Sequence, residues 1–163
     1  MRHRIATVGL VLGLLLATVA ILSVPAAASE VTVQSTNRQV TITLTILNAE
    51  YTDADDDGLQ DDVVAYFDIS LSGKERYSLE LTLSLTLPSD NEYAYTYLVN
   101  TRLSMLHCTI YFYNHATEQG DYVFHAHIVS HVGGVVDGSA QYEFDPPGGS
   151  GDADPCAALV VEA

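Results

Sequence analysis

The sequence predicts an all-β fold, a two-layer sandwich of about seven antiparallel strands. After residue 28, apolar and polar residues alternate with a period of two in one segment after another, as in half-buried strands. Turn sequences such as "DADDDG", "PSDN" and "DPPGG" separate these segments. No helical pattern of ten or more residues occurs there. Strands that each bury one face have to pack as two sheets.

The predicted strands follow one another along the chain, each with its apolar residues on one face. The clearest is "YSLELTLSLTL", in which Tyr77 and every second residue from Leu79 to Leu87 oppose Ser, Glu and Thr. The residue mix of Thr, Tyr, Val and Leu suits a pleated, half-exposed surface. The predicted strands cover residues 39–47, 63–71, 77–87, 92–99, 106–113, 121–129 and 139–144.

Residues 1–28 are predicted to be a signal peptide. A basic start with Arg2 and Arg4 precedes a long apolar run, and Ala26-x-Ala28 offers a cleavage site. The run approaches the roughly 20 residues that span a bilayer, so an uncleaved membrane anchor is the alternative. Residues 29–145 then form the sandwich, and the Pro/Gly/Asp-rich tail, residues 146–163, is predicted to be a loop. The expected location is secreted or at the cell surface.

The charge balance limits the classes of partner. The chain has 6 Lys and Arg against 21 Asp and Glu, a net charge of −15. Cleavage after Ala28 would remove Arg2 and Arg4 but no acidic residue, which leaves −17. Nucleic acids and anionic membrane surfaces both need a basic face, so neither is expected as a partner. A surface protein, a glycan or another copy of the chain stays possible, and contact with a membrane is expected only through an uncleaved N-terminal segment.

Two cysteines, Cys108 and Cys156, are predicted to form a disulfide. An even number of cysteines in an exported chain favours one bond, which would tether the C-terminal tail. The alternative is a free buried Cys108 and a reactive Cys156. Neither cysteine has the CxxC spacing of a thiol redox site or a zinc knuckle.

A local motif points to one kind of sandwich. The stretch "EQGDYVF" places Glu118, Gly120 and Tyr122 as E-x-G-x-Y before a predicted strand. This resembles the tyrosine corner of immunoglobulin-like domains, usually D-x-G-x-Y. Phe124 stands where antibody domains have a cysteine, and the chain has no tryptophan. The resemblance is therefore to the Ig-like modules of prokaryotic surface proteins.

The stretch "DADDDGLQDD" predicts a calcium loop. Ca²⁺ takes six to eight oxygen ligands, and short loops supply them through alternating carboxylates. The pattern D-x-D-x-D-G-x-x-D resembles the calcium loops of thrombospondin type 3 repeats, dockerins and EF-hands, with Gly58 at the sharp turn. Val64 occupies position twelve, so the last ligand has to come from elsewhere in the chain, with Asp62 and Glu50 as candidates. The alternative is an acidic solvated turn. The predicted ligands are Asp53, Asp55, Asp57, the Leu59 carbonyl and Asp61.

The histidines of "FHAHIVSH" suggest a second, weaker metal site. His125 and His127 share the outward face of a predicted strand, and His131 follows. The stretch looks like the copper motif of multicopper oxidases, but Ala126 stands in place of the copper-binding cysteine, so a blue-copper centre is not expected. A Zn²⁺ or Cu²⁺ site on His125 and His127, with His131 or His107 as third ligand, is possible, as is a plain surface pair.

No catalytic motif accompanies these features. The chain lacks G-x-S-x-G, a Walker loop and a dinucleotide fingerprint, and it is not expected to be an enzyme. The expected function is that of a calcium-stabilised sandwich with a structural, adhesive or ligand-binding role. The alternatives are a cupredoxin-like protein that binds copper or zinc, and a filament subunit that exchanges strands through its exposed edges.

Overall fold

The computed structural model describes residues 29–34, 39–148 and 154–163. The predicted signal peptide, residues 1–28, lies outside them. Nine strands make up the regular structure of the described residues, and none of these residues belongs to a helix that could cross a membrane. The strands are β1 (Ser29–Gln34), β2 (Thr41–Thr52), β3 (Asp62–Ser72), β4 (Tyr77–Thr86), β5 (Glu92–Thr101), β6 (Met105–Tyr113), β7 (Tyr122–Ser130), β8 (Val136–Phe144) and β9 (Cys156–Glu162).

The strands form a β-sandwich, as predicted. One sheet has the order β1-β2-β3-β6-β9 and the other β5-β4-β7-β8, with every pair antiparallel. The seven predicted strands correspond to β2 through β8. The structure adds β1, directly after the predicted cleavage site, and β9, which lies in the tail. The prediction that the whole tail is a loop was therefore wrong, because "CAALVVE" pairs along β6.

The core lies between the two sheets and follows the alternation of the sequence. Phe124 on β7 contacts Phe67 on β3 and Phe112 on β6, with ring centroids 6.0 Å apart in both pairs. Each large side chain buried in this way contributes about 1.5–3 kcal/mol to the free energy of unfolding. The largest fully buried side chains are Tyr77, Tyr122, Phe67, Phe112, Phe124, Ile42, Leu44, Ile46, Ile69, Leu79, Leu81 and Leu83.

Two pairs of strands interlock the sheets. β3 pairs with β6 in one sheet, while β4 pairs with β7 in the other, so the β3–β4 and β6–β7 connections both cross between layers. Tyr122, from the E-x-G-x-Y motif, contacts the backbone of Glu118 just before β7. The Tyr122 hydroxyl donates to the Glu118 carbonyl and accepts from the Glu118 N–H, both at 2.9 Å. Because Tyr122 is fully buried, it fixes the β6–β7 crossing to the core.

The predicted disulfide is absent, because both cysteines are free. In the register of β6 and β9, Cys108 lies opposite Val161 and Cys156 lies opposite Tyr113. The two cysteines are thus five positions apart along the ladder, roughly 17 Å at 3.3 Å per residue. A disulfide requires α-carbons within about 7 Å. Cys108 is buried in the core, and Cys156 is exposed at the edge of the sheet.

Candidate metal centre

The aspartate-rich loop, residues 53–61, joins the neighbouring strands β2 and β3. Thr52 lies opposite Asp62 in the ladder, so both ends of the loop are fixed at adjacent positions of one sheet. A shift in register between Ile46 and Asn48 marks a bulge in β2 before the loop. The strands therefore hold the loop at one end of the sandwich as the tip of a hairpin.

Hydrogen bonds to its own carboxylates curl the loop. The two oxygens of Asp53 accept from the N–H groups of Asp57 and Gly58, both at 3.1 Å. Asp57 Oδ1 accepts from the Leu59 N–H at 2.7 Å. Gly58, placed at the sharp turn by the sequence pattern, has φ +91°, and Asp56 has φ 61°, both positive. The backbone thus turns back on the Asp53 carboxylate.

The Asp62 side chain connects the aspartate-rich loop to the segment that follows β6, the other neighbour of β3 in the sheet. It is fully buried, and its carboxylate accepts three backbone hydrogen bonds. Oδ2 accepts from the N–H groups of Ala54 at 2.6 Å and Asp55 at 3.2 Å, and Oδ1 accepts from the Asn114 N–H at 2.8 Å. One side chain at the start of β3 therefore holds both the aspartate loop and the segment that follows β6.

Three carboxylates converge at this point. Asp53, Asp55 and Asp62 each offer one oxygen, and these oxygens lie within 4.8 Å of one another. No other group of three or more His, Cys, Asp or Glu side chains meets in this way in the part of the chain that the structure describes. Desolvation and the neighbouring carboxylates of Asp62, Asp57 and Asp53 raise the pKa of Asp55, which a hydrogen bond from the Asp57 backbone partly offsets. The folded loop thus concentrates negative charge.

The predicted ligands fall into two groups. Asp53 and Asp55 lie in the cluster, but Asp57 and Asp61 are not among its members. Asp61 is fully buried, and its carbonyl accepts from the Ala116 N–H at 2.7 Å. Asp62, one of the two residues considered for the last ligand, is the third member of the cluster. The roles of Asp57, the Leu59 carbonyl and Asp61 as ligands stay predictions.

Glu50, the other residue considered for completing the shell, lies on β2. Its carboxylate accepts from the Tyr66 hydroxyl at 2.6 Å, and this hydrogen bond raises the pKa of Tyr66 to about 12. Of the two residues considered, Asp62 alone belongs to the converging group. The signal that identifies Asp62 is the pairing of Thr52 with Asp62 across the hairpin.

The outward histidine pair has the orientation that the sequence predicts. Buried and half-buried residues alternate along β7, and His125 and His127 are on the half-buried outer face. His127 Nε2 lies 2.7 Å from the Asp137 carboxylate on β8. His107 is in the other sheet, where its Nδ1 lies 2.8 Å from Asp68. His131 is exposed after β7. Within the described residues, no third ligand joins the pair in a converging group.

His115, to which the sequence pattern assigned no role, lies beside the aspartate-rich loop, since its neighbour Ala116 donates to the Asp61 carbonyl. It is 1% exposed and contacts Tyr93, Tyr95 and Phe112 edge-on. Nδ1 lies 2.7 Å from the Tyr113 carbonyl, which can only accept, so Nδ1 carries the proton. The Tyr95 hydroxyl, 3.0 Å away, then donates to Nε2. Burial lowers the pKa of His115, so the folded state favours the neutral form of this side chain.

Comparison with protein-family models, with curated proteins and with solved structures finds no match to this chain.

Proposed function

We propose that the protein is a secreted or surface-attached, Ig-like β-sandwich that Ca²⁺ stabilises, with a structural, adhesive or ligand-binding role. The observation that carries the proposal is the convergence of Asp53, Asp55 and Asp62 within 4.8 Å. An all-oxygen group of this kind suits a hard cation, and Ca²⁺ tolerates its irregular geometry better than Mg²⁺ does. The N-terminal leader pattern supports export.

The three carboxylates keep room for an ion. Each carboxylate has about four acceptor positions. Asp62 uses three of them for backbone N–H groups, Asp53 uses two, and Asp55 accepts one hydrogen bond, from Asp57. An ion can therefore bind without displacing the hydrogen bonds that shape the loop.

The ion would also offset repulsion. Two unit charges 4.8 Å apart repel by about 1 kcal/mol in water and about 3.5 kcal/mol at an effective dielectric of 20. Asp62 is buried and Asp55 is exposed, so the pairs in this cluster lie between these limits. Strands packed into two sheets do not open as the helix pairs of calcium sensors do. Calcium would therefore act here as a structural staple.

The expected affinity is modest. Val64 stands where a bidentate acid completes the shell of tighter loops. Calcium sites of extracellular modules bind with dissociation constants of about 10⁻⁴ to 10⁻³ M. At ten times that constant, binding adds about 1.4 kcal/mol to the free energy of unfolding. For a domain of this size that corresponds to a rise of about 5 °C in Tm.

Two variants of the same loop test the proposal. Asp55→Asn and Asp56→Asn each remove one negative charge from an exposed side chain, but Asp55 alone belongs to the cluster. Asn tolerates the positive φ of Asp56. Calcium titration by calorimetry, with melts in calcium-free and millimolar-calcium buffer, should show a binding loss of tenfold or more for Asp55→Asn. Asp56→Asn should bind like the unmodified protein. Equal binding by all three proteins, or no effect of calcium on any melt, would refute the calcium site.

A second candidate function, assembly through a sheet edge, is favoured by β9. This strand is the last in its sheet, and Val160 and Val161 are 43% and 38% exposed. The strand lacks Pro, Lys and Arg, which commonly protect edges from pairing. If copies join there, sedimentation should show oligomers that grow with concentration, and Val160→Lys should return them to monomers. Monomers at every concentration would exclude this function.

A further inference from the structure

Only four basic residues follow the predicted leader in the sequence. Two of them, Arg76 and Arg102, line one cleft at the end of the sandwich opposite the aspartate loop. The register of β4 and β5 ends at the pair Tyr77–Thr101. Arg76 and Arg102 come one position beyond this pair, just outside both strands, where a continuation of the antiparallel ladder would bring them opposite each other. Both arginines, with Asn100 and Thr101, line a cleft of about 290 Å³.

This arrangement is unfavourable without a counter-charge. Like charges directly opposite each other on antiparallel strands repel. Both guanidinium groups are on exposed residues, and within the described ranges neither has a carboxylate oxygen within salt-bridge distance. In a chain with 21 acidic residues, two arginines placed together without an acidic partner are unexpected. An anion between them would remove the repulsion.

The chemistry of the lining defines the ligand. Each guanidinium presents a planar fork of donors that matches carboxylate, sulfate or phosphate in bidentate fashion. The Thr101 oxygen accepts from the Leu103 N–H at 3.0 Å, which orients its hydroxyl, and Asn100 adds an amide. We propose that this cleft binds one small anionic group, a carboxylate, sulfate or phosphate carried by a small polar molecule such as an acidic sugar.

The net charge of the protein restricts the size of the anion. On the outer face of β4, Glu80 lies four residues from Arg76, roughly 13 Å along the strand. Glu75, next to Arg76 in the chain, offsets one charge, so Lys74, Arg76 and Arg102 together with Glu75 leave a local net charge of 3 − 1, or +2. Screening at physiological salt acts over about 8 Å, so Glu80 and the more distant aspartate loop do not cancel this local positive charge. A polyanion would reach beyond the cleft and meet the acidic remainder of the surface. The site therefore suits a ligand with one or two charges.

The test is an NMR titration of the protein in calcium-free buffer prepared with a chelating resin, because a soluble chelator is itself an anion. The probes are sodium acetate, sulfate, inorganic phosphate and glucuronate, with glucose as the neutral comparison. We expect saturable shifts of the amide signals of residues 76 and 100–102, with dissociation constants in the millimolar range. Tighter binding of glucuronate than of acetate would assign the ligand to acidic sugars. Tighter binding of sulfate or phosphate would assign it to tetrahedral anions.

The variant set separates the cleft from general charge. Arg76→Gln with Arg102→Gln should weaken binding at least tenfold. Lys74→Gln, a charge loss in the adjacent turn, should change it less than twofold. Arg76→Lys with Arg102→Lys keeps the charges and the exposed positions and should lose affinity at least threefold, because an ammonium cannot bind an anion as a fork.

The absence of saturable shifts with every anion would overturn the proposal, as would shifts of the same size with glucose. Equal binding by the unmodified protein and the double glutamine or double lysine variant would also overturn it. A loss with Lys74→Gln as large as with the arginine pair would also contradict it. The result does not depend on the calcium proposal, since the titration is done without calcium and the cleft lies at the end of the sandwich opposite the aspartate loop.

Discussion

Replacing Asp62 by Asn should destabilise the protein even in the absence of calcium. The buried Asp62 carboxylate accepts two hydrogen bonds on Oδ2 and one on Oδ1. An amide has one acceptor oxygen, so in either orientation its NH₂ group faces at least one backbone N–H. One or two of these backbone donors, on half-buried or exposed residues, then lose their partner, at about 1–3 kcal/mol each. Removing the charge also relieves the repulsion from Asp53 and Asp55, so the expected net loss is about 1–3 kcal/mol of the free energy of unfolding.

The matched control is Asp56→Asn, which makes the same chemical change on an exposed residue of the same loop. Its effect should stay within about 0.5 kcal/mol. In urea unfolding with calcium-free buffer, a 3 kcal/mol loss lowers the midpoint by about 2 M at an m-value of about 1.5 kcal/mol/M. If Asp62→Asn and Asp56→Asn unfold at the same midpoint, Asp62 does not hold the loop through these hydrogen bonds.

Three further predictions concern the core. Burial lowers the pKa of His115, so the unfolded chain takes up a proton at this histidine first as the pH falls below 6.5. The free energy of unfolding, measured in urea at stepped pH, should therefore decline below pH 6.5. His115→Gln should flatten that decline, whereas the same slope in both proteins would contradict the assignment. Burial raises the pKa of the Cys108 thiol to about 12. A thiol reagent should therefore titrate one thiol, that of Cys156, in the folded protein and two thiols in urea. Two fast-reacting thiols in the folded protein would contradict this prediction. Tyr122→Phe should cost about 2–3 kcal/mol in thermal or urea unfolding, since it leaves the N–H and C=O of the half-buried Glu118 unpaired. Tyr66→Phe, whose hydroxyl bonds at the surface, should cost less than about 1 kcal/mol, and equal losses would show that the corner contact is not special.

The sequence predicts those strands that bury one complete face. β4 alternates over its whole length because its inner side chains face the other sheet and its outer ones face solvent. β9 shows no such alternation, since "CAALVVE" lies at a sheet edge where both faces are partly exposed. Its assignment as a strand depends on pairing with β6, which is distant in the chain. β1 likewise depends on its pairing with β2.

The residues of the candidate site also differ in whether the local sequence or the pairing of strands reveals them. Alternating carboxylates identify Asp53 and Asp55, because those residues are neighbours within one turn. Asp62 enters the cluster through the pairing of Thr52 with Asp62, and Asn114 reaches it from the end of β6. The disulfide prediction failed for a related reason, since an even cysteine count carries no information on the register of β6 and β9. Spacing therefore identifies carboxylates that cluster within one turn, whereas the strand register is needed to place Asp62 and Asn114 beside them.

The position of the aspartate loop in a hairpin bears on how the chain folds. β2 and β3 are consecutive in the chain and adjacent in the sheet, so their pairing closes a short loop. Hairpins form in about 1–10 μs, whereas sandwiches dominated by distant pairings fold in milliseconds to seconds. The pairings of β3 with β6 and of β4 with β7 are of the distant kind. All three clustered carboxylates belong to the hairpin, so an ion that binds once the hairpin has formed would accelerate folding and change the unfolding rate little.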